Sequence, residues 1–124
     1  MSLNLVLWIV QAILAAMFLM AGVMKAFQYE RAKASLPWVK DVSKGLVTFI
    51  GISELLGGLG LVLPLLTGIL PWLTPLAGAG LALIMILAIV FHARRGESSA
   101  IIFNLVLFAL AAFVAYGRWV LLPV

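Results

Sequence analysis

Four polar residues stand where an apolar chain has little reason to keep them. Lys25, Glu54, His92 and Asn104 each lie inside, or at the end of, a long hydrophobic run. A carboxylate beside an ammonium can form an ion pair, carry a proton or grip the polar head of a ligand. Histidine adds the side chain whose ordinary titration falls nearest neutrality. Asparagine offers two donors and an acceptor. Each residue also has a purely structural use. Glu54 can pair with Lys25, or stay protonated and bond Asn104 or Ser53. Lys25 can snorkel to the headgroups. His92, followed by Arg94 and Arg95, suits an interface, and Asn104 can tie one helix to another. Of the remaining polar groups, Arg118 suits an anchor at the opposite interface, near Gln11.

Ionisable groups at the centre of a membrane helix cost about 2.5–3.5 kcal/mol on insertion scales, so these residues should face a bundle interior. Their neighbours agree. At about 100° per residue, Gly51, Glu54 and Gly58 share one face. In the first run Gln11, Ala15, Phe18, Gly22 and Lys25 form a stripe. So do Thr74, Gly78, Leu81, Met85, Ala88 and His92 in the third run, and Asn104, Phe108, Ala111, Ala115 and Arg118 in the fourth. Small residues allow close backbone approach between helices. Lys25, Glu54, His92 and Asn104 then converge in one half of the bundle, with Gln11 and Arg118 in the other.

Much familiar chemistry is excluded. With no cysteine there is no disulfide, thiolate nucleophile or iron–sulfur ligation. A single histidine cannot supply both axial ligands of a bis-histidine haem. No face gathers the ligands of a zinc site, so no metal is expected. Gly57-Gly58-Leu59-Gly60 lies inside an apolar run and is not a nucleotide fingerprint. Ser53 has no His–Asp relay. No residue is assigned a catalytic role, and no motif by itself names a reaction.

The elements that position these groups follow from composition. The chain has 124 residues, 66% hydrophobic and 10% charged, against about 25% charged in an ordinary soluble domain. Four apolar runs, at about 3–27, 46–66, 70–92 and 100–122, each approach the ~20 residues that span a bilayer as a helix. They lack the alternation of barrel strands. The expected fold class is all-α: an integral membrane four-helix bundle forming one transmembrane domain over 1–124. The first run lacks a basic leader and is too long for a cleavable signal, so it is read as a mature helix.

The connections set orientation. The segment 28–45 is polar, with Leu36-Pro37-Trp38 suited to the interface. The second connection is short and rich in proline, and 93–99 carries Arg94, Arg95 and Glu97. Seven of the eight Lys/Arg residues flank the first and third connections, with Arg118 the exception. The positive-inside rule puts those connections in the cytoplasm and both termini outside, in a multi-pass cell-membrane (inner-membrane) protein with Trp8, Trp72 and Trp119 at the outer boundary. The net charge of +4 is concentrated in these connections, which points to anionic lipid and away from nucleic acid.

Four motifs in order carry a resemblance to a known group. Ala21-Gly22-Val23-Met24-Lys25 is similar to the Gly-x-x-Lys signature of the DoxX and DoxX-like membrane proteins. The stretch from Gly51 through Glu54 to Pro64 resembles that family's second-helix motif. Phe91-His92-Ala93-Arg94-Arg95-Gly96-Glu97 and Ala115-Tyr116-Gly117-Arg118-Trp119 resemble the ends of the third and fourth helices in the DoxX-like branch. The resemblance implies a four-helix membrane bundle. It implies little about activity: the family name comes from a small subunit linked to a thiosulfate:quinone oxidoreductase. Lys25 and Glu54 carry over as motif residues, and so do His92 and Arg118.

Two readings follow. In one, the chain is an accessory subunit of membrane redox or quinone metabolism, associated with an oxidoreductase complex, and Lys25, Glu54, His92 and Asn104 surround a quinone- or lipid-like ligand. In the other, it is a non-catalytic assembly or structural protein whose Lys/Glu cluster only fixes packing. A homo-oligomer is compatible with the glycine faces.

Overall fold

A computed structural model describes all residues, 1–124, and is wholly helical. The four spans are α1 (Leu3–Phe27), α3 (Lys44–Thr67), α4 (Leu73–Arg95) and α5 (Ser98–Tyr116), the last extended through Leu121 by a turn of π-helix. Between α1 and α3 lie a short amphipathic helix α2 (Tyr29–Ser35) and a 3-10 turn (Val39–Asp41). From the sequence that region reads only as a polar connection with an interfacial centre; the structure adds the two helical turns. Hydroxyls start two of the spans: Ser2 Oγ accepts from the Leu5 amide, and Ser43 Oγ from the Leu46 amide, both at 3.1 Å. Gly68 and Gly96, in the left-handed region at φ 75° and 72°, end α3 and α4 as helix C-caps do.

All four spans are long and apolar enough to cross a membrane. Only 26 of 124 residues are buried, and large hydrophobics such as Met20, Phe49, Leu56 and Leu66 stand on the outer surface. A chain that exposes so much apolar surface needs lipid, not water, around it. The stripes expected from the sequence do turn inward. Gln11, Ala15, Phe18 and Gly22 of α1, Thr74, Gly78, Leu81, Met85 and His92 of α4, and Asn104, Ala111 and Arg118 of the fourth span are all buried.

α1 packs mainly on α3 and α4 mainly on α5, and a lighter α3–α4 seam joins the two pairs. The tightest approach is at Gly22 and Gly51. A Cβ on Gly22 would sit 2.7 Å from the Gly51 carbonyl oxygen, and one on Gly51 would sit 2.5 Å from the Ala26 nitrogen. On the other pair, a Cβ at Gly78 would lie 3.0 Å from the Ala111 carbonyl. Gly57 and Gly58 likewise face Leu81 and Leu19. Gly80, on the exposed side of α4, has open space beside it.

Pro64 shapes the α3–α4 hairpin. Proline has no N–H, so the carbonyl four residues back loses its helical partner. That carbonyl belongs to Gly60, and it accepts a hydrogen bond from the Thr74 hydroxyl of α4 at 3.0 Å. One residue on, the Leu61 carbonyl accepts from Gln11 Nε2 at 2.6 Å. Pro75 sits in the first turn of α4, where a missing N–H costs nothing. Thr74→Val keeps the shape and removes the hydroxyl, so it should destabilise the protein by about 1–3 kcal/mol, the cost of a buried carbonyl left unpaired. Thermal unfolding in mild detergent measures this. A Pro64→Ala background, which returns an N–H to Gly60, should reduce the loss.

Candidate functional site

The α1–α3 crossing positions the first two polar residues. Lys25 lies one turn beyond Gly22, and Glu54 one turn beyond Gly51, so the near-contact of backbones sets their side chains face to face. Lys25 Nζ donates to Glu54 Oε1 at 2.7 Å, with side-chain exposures of 13% and 4%. Glu54 is ten residues from the start of α3, ~15 Å along the axis. Lys25 does not snorkel to the headgroups. Its ammonium is held by the carboxylate and lies 5.6 Å from the centre of the Trp38 ring. Ser53 does not meet Glu54, because its hydroxyl donates back to the Phe49 carbonyl at 2.8 Å. Asn104 does not bond Glu54 either.

The third position is set by the end of α4. Gly96 reverses the chain, and the Glu97 amide donates to the His92 carbonyl at 3.0 Å. This brings Glu97 Oε1 to 2.8 Å from His92 Nδ1. An ionised carboxylate only accepts, so Nδ1 carries the proton. Arg95 Nε donates to the same oxygen at 2.9 Å, and Arg95 Nη1 donates to Asp41 Oδ2 at 2.8 Å. The third connection is thereby tied to the first. The hydrogen bond from His92, and then that from Arg95, holds the Glu97 carboxyl below its ordinary pKa. The Trp38 and Phe91 rings stand edge-on to the imidazole, with centroids 6.4 and 5.4 Å away. His92, expected at the interface from its basic neighbours, is buried at 8% exposure. The reversal at Gly96 and the aromatic cover remove it from water.

A cavity of about 790 Å³ lies between the halves of α3 and α4 that are remote from their hairpin turn. Lys25, Glu54, His92 and Asn104 all line it, together with Trp38 and Glu97. Most of the remaining wall is apolar. Phe49, Leu87 and Phe103 belong to the wall and also stand more than half exposed on the outer surface, so the cavity opens on the lipid-facing side. Trp38 reaches it because Ala32 and Val39, packed with Val47 of α3, pin the first connection over this end of the bundle. Among the groups on the wall, Glu54 bonds Lys25 through Oε1 and His92 meets Glu97 through Nδ1, so Glu54 Oε2, His92 Nε2 and the Asn104 amide make no hydrogen bond within the chain. No group of three or more acidic or histidine side chains is arranged to hold a metal ion.

Sequence reasoning missed Glu97 and Trp38. Glu97 had a signal, an acid just past a helix-ending glycine and five residues from the only histidine. Trp38 had none, since nothing local says which way an interfacial loop folds.

A second polar cluster occupies the opposite end. Arg118, expected on the inward stripe of the fourth span as an anchor at this interface, is 3% exposed. Gly117 lets the end of the fourth span close on Leu7, with a Cβ there falling 2.5 Å from the leucine side chain. Arg118 Nε then donates to Gln11 Oε1 and Nη1 to Asn4 Oδ1, both at 2.8 Å, and the guanidinium lies 5.4 Å from the Trp8 ring centre. Its Nη2 is buried without a partner. The contacts join α1 to the fourth span and, through Gln11, to α3, so this cluster clamps the bundle.

Removing one member of a buried ion pair costs about 3–5 kcal/mol, whereas replacing both by apolar residues is often neutral. Lys25→Met alone should therefore lower thermal stability in detergent strongly. Lys25→Met combined with Glu54→Leu should recover most of the loss, as a double-mutant cycle would measure.

A family model described as the DoxX-like family matches residues 9–114. No curated protein and no solved structure matches the chain. The matched range takes in Gly22, Lys25, the Gly51–Pro64 stretch and His92 with its flanking residues, and it stops just before Ala115. With a match over most of its length and four apolar spans in the expected order, the chain belongs to the DoxX-like family of membrane proteins.

Proposed function

We propose that this protein is a ligand-binding accessory subunit of membrane redox or quinone metabolism, and that its cavity holds a quinone- or lipid-like molecule. One observation carries the reading: the cavity is mostly apolar, opens toward lipid, and is lined by Glu54, His92 and Asn104, each with polar atoms not bonded within the chain. Binding sites for small amphiphiles have this make-up, an apolar enclosure with a few convergent polar groups. The volume of about 790 Å³ lies within the ~300–1,000 Å³ of such sites. Lys25 and Glu54 neutralise each other, which favours an uncharged head. The positive-inside rule would put the cavity in the cytoplasmic half of the cell membrane, with both termini outside. A larger membrane oxidoreductase is the partner this reading expects.

A packing role for the ion pair is the second reading. It is favoured by the position of Lys25 and Glu54 one turn from the closest backbone contact in the bundle. The two readings separate experimentally. Organic extraction and mass spectrometry of protein purified in mild detergent should find a co-purifying quinone or lipid near one per chain. Glu54→Gln should stay folded and retain less of it. Absence of any bound amphiphile, with no affinity for added quinone, would overturn the ligand reading. A Glu54→Gln protein that falls apart in mild detergent would favour the packing role.

A further inference from the structure

The partnerless atoms on the cavity wall differ in kind, and the difference says which ligand fits. Glu97, with Arg95 bonded to the same oxygen, fixes the imidazole proton of His92 on Nδ1. Nε2 is the ring's other nitrogen, and in the neutral ring it is a bare lone pair that can only accept. Glu54 spends Oε1 on Lys25, which leaves Oε2 as a second acceptor. Glu54 on α3 and His92 on α4, both lining the cavity, thus each carry an acceptor not used within the chain. Donors are present as well, on the Asn104 amide and the remaining Lys25 protons. The charged and titratable groups facing His92 are Glu97 and Arg95 beside it and the mutually neutralised Lys25–Glu54 pair of α1 and α3.

We propose that the cavity selects a hydroxyl-bearing aromatic head on an apolar tail, a hydroquinone or phenol, over the corresponding quinone or ether. This rests on the ligand-binding reading above. A ketone oxygen is acceptor-only, so a quinone can satisfy Asn104 and Lys25 but leaves Nε2 and Glu54 Oε2 desolvated and unpaired. A hydroxyl donates to either acceptor while its oxygen still accepts from Asn104 or Lys25. Buried acceptors left unmade are the larger cost in such comparisons. The hydroxyl-bearing form therefore gains wherever Nε2 carries a lone pair. No electron transfer is part of the selection.

The test uses the full chain in nanodiscs at mildly alkaline pH. Three probes share a decyl tail: a hydroquinone kept reduced under anaerobic conditions, its quinone, and its dimethyl ether. Calorimetric titration should show the hydroquinone binding roughly tenfold tighter than either of the others, the scale of one unmade buried hydrogen bond. His92→Phe keeps an aromatic ring against Trp38 and Phe91, and it should erase most of that advantage while quinone binding persists. Glu97→Ala, which frees the imidazole to change tautomer, should narrow the advantage without removing the ring. Equal affinity for hydroquinone and dimethyl ether would overturn the selection and leave ligand binding intact. A full advantage surviving in both variants would also overturn it. Failure of all three probes to bind would overturn the ligand reading together with the selection.

Discussion

Gly22 and Gly51 hold the backbones of α1 and α3 at a separation that leaves no room for a side chain between them. The rest of the polar architecture depends on that contact. In lipid, helix association draws on close packing and interhelical polar bonds, because apolar side chains are as well solvated by acyl chains as by each other. The glycine crossing supplies the packing. It also delivers Lys25 and Glu54 to 2.7 Å of one another on the wall of the cavity. The charges are tolerable because the crossing makes them meet, and the pair in turn penalises any slip of one helix along the other.

The two helix pairs do not close on each other along their whole length. Near the hairpin turn, the Gly60 carbonyl freed by Pro64 ties α3 to α4 through Thr74, and Gly57 receives Leu81. Beyond Glu54 and Met85 the same two helices line a cavity instead. Seam and cavity are therefore two halves of one interface. The difference lies in side-chain size: small residues on the seam half, and larger or polar residues such as Phe49, Glu54, Phe91 and His92 on the other.

Both ends of the bundle are fastened by cations, in different ways. At one end Arg95 bridges Asp41 of the first connection and Glu97 of the third, and this tie keeps Trp38 over the cavity. These bonds are partly exposed, and exposed ion pairs contribute little energy individually; their effect is on where the connection lies. At the other end Arg118 is buried among Gln11, Asn4 and Trp8 with no carboxylate nearby. The four acidic residues of the chain all lie elsewhere, so neutral acceptors and an aromatic face must stabilise this guanidinium.

The sequence alone determined the number of spans, their approximate limits and the stripe that each turns inward. Hydropathy over ~20 residues and the angular spacing of small and polar residues are local properties, and Gln11, Glu54, Thr74, His92 and Asn104 all occupy the buried side assigned to them. It also singled out Lys25 with Glu54, since two opposite charges in apolar runs have few other ways to be neutralised. What lies beside the pair is a matter of how the segments pack. The cavity, the placing of Trp38 on its wall, the Glu97 partner of His92 and the hydrogen-bond partners of Arg118 all depend on distances between segments far apart in the chain. Periodicity gives the direction of a side chain around its own axis. It carries no information on how deeply a neighbouring helix or loop approaches, and that approach makes His92 a wall of a cavity and Arg118 a clamp.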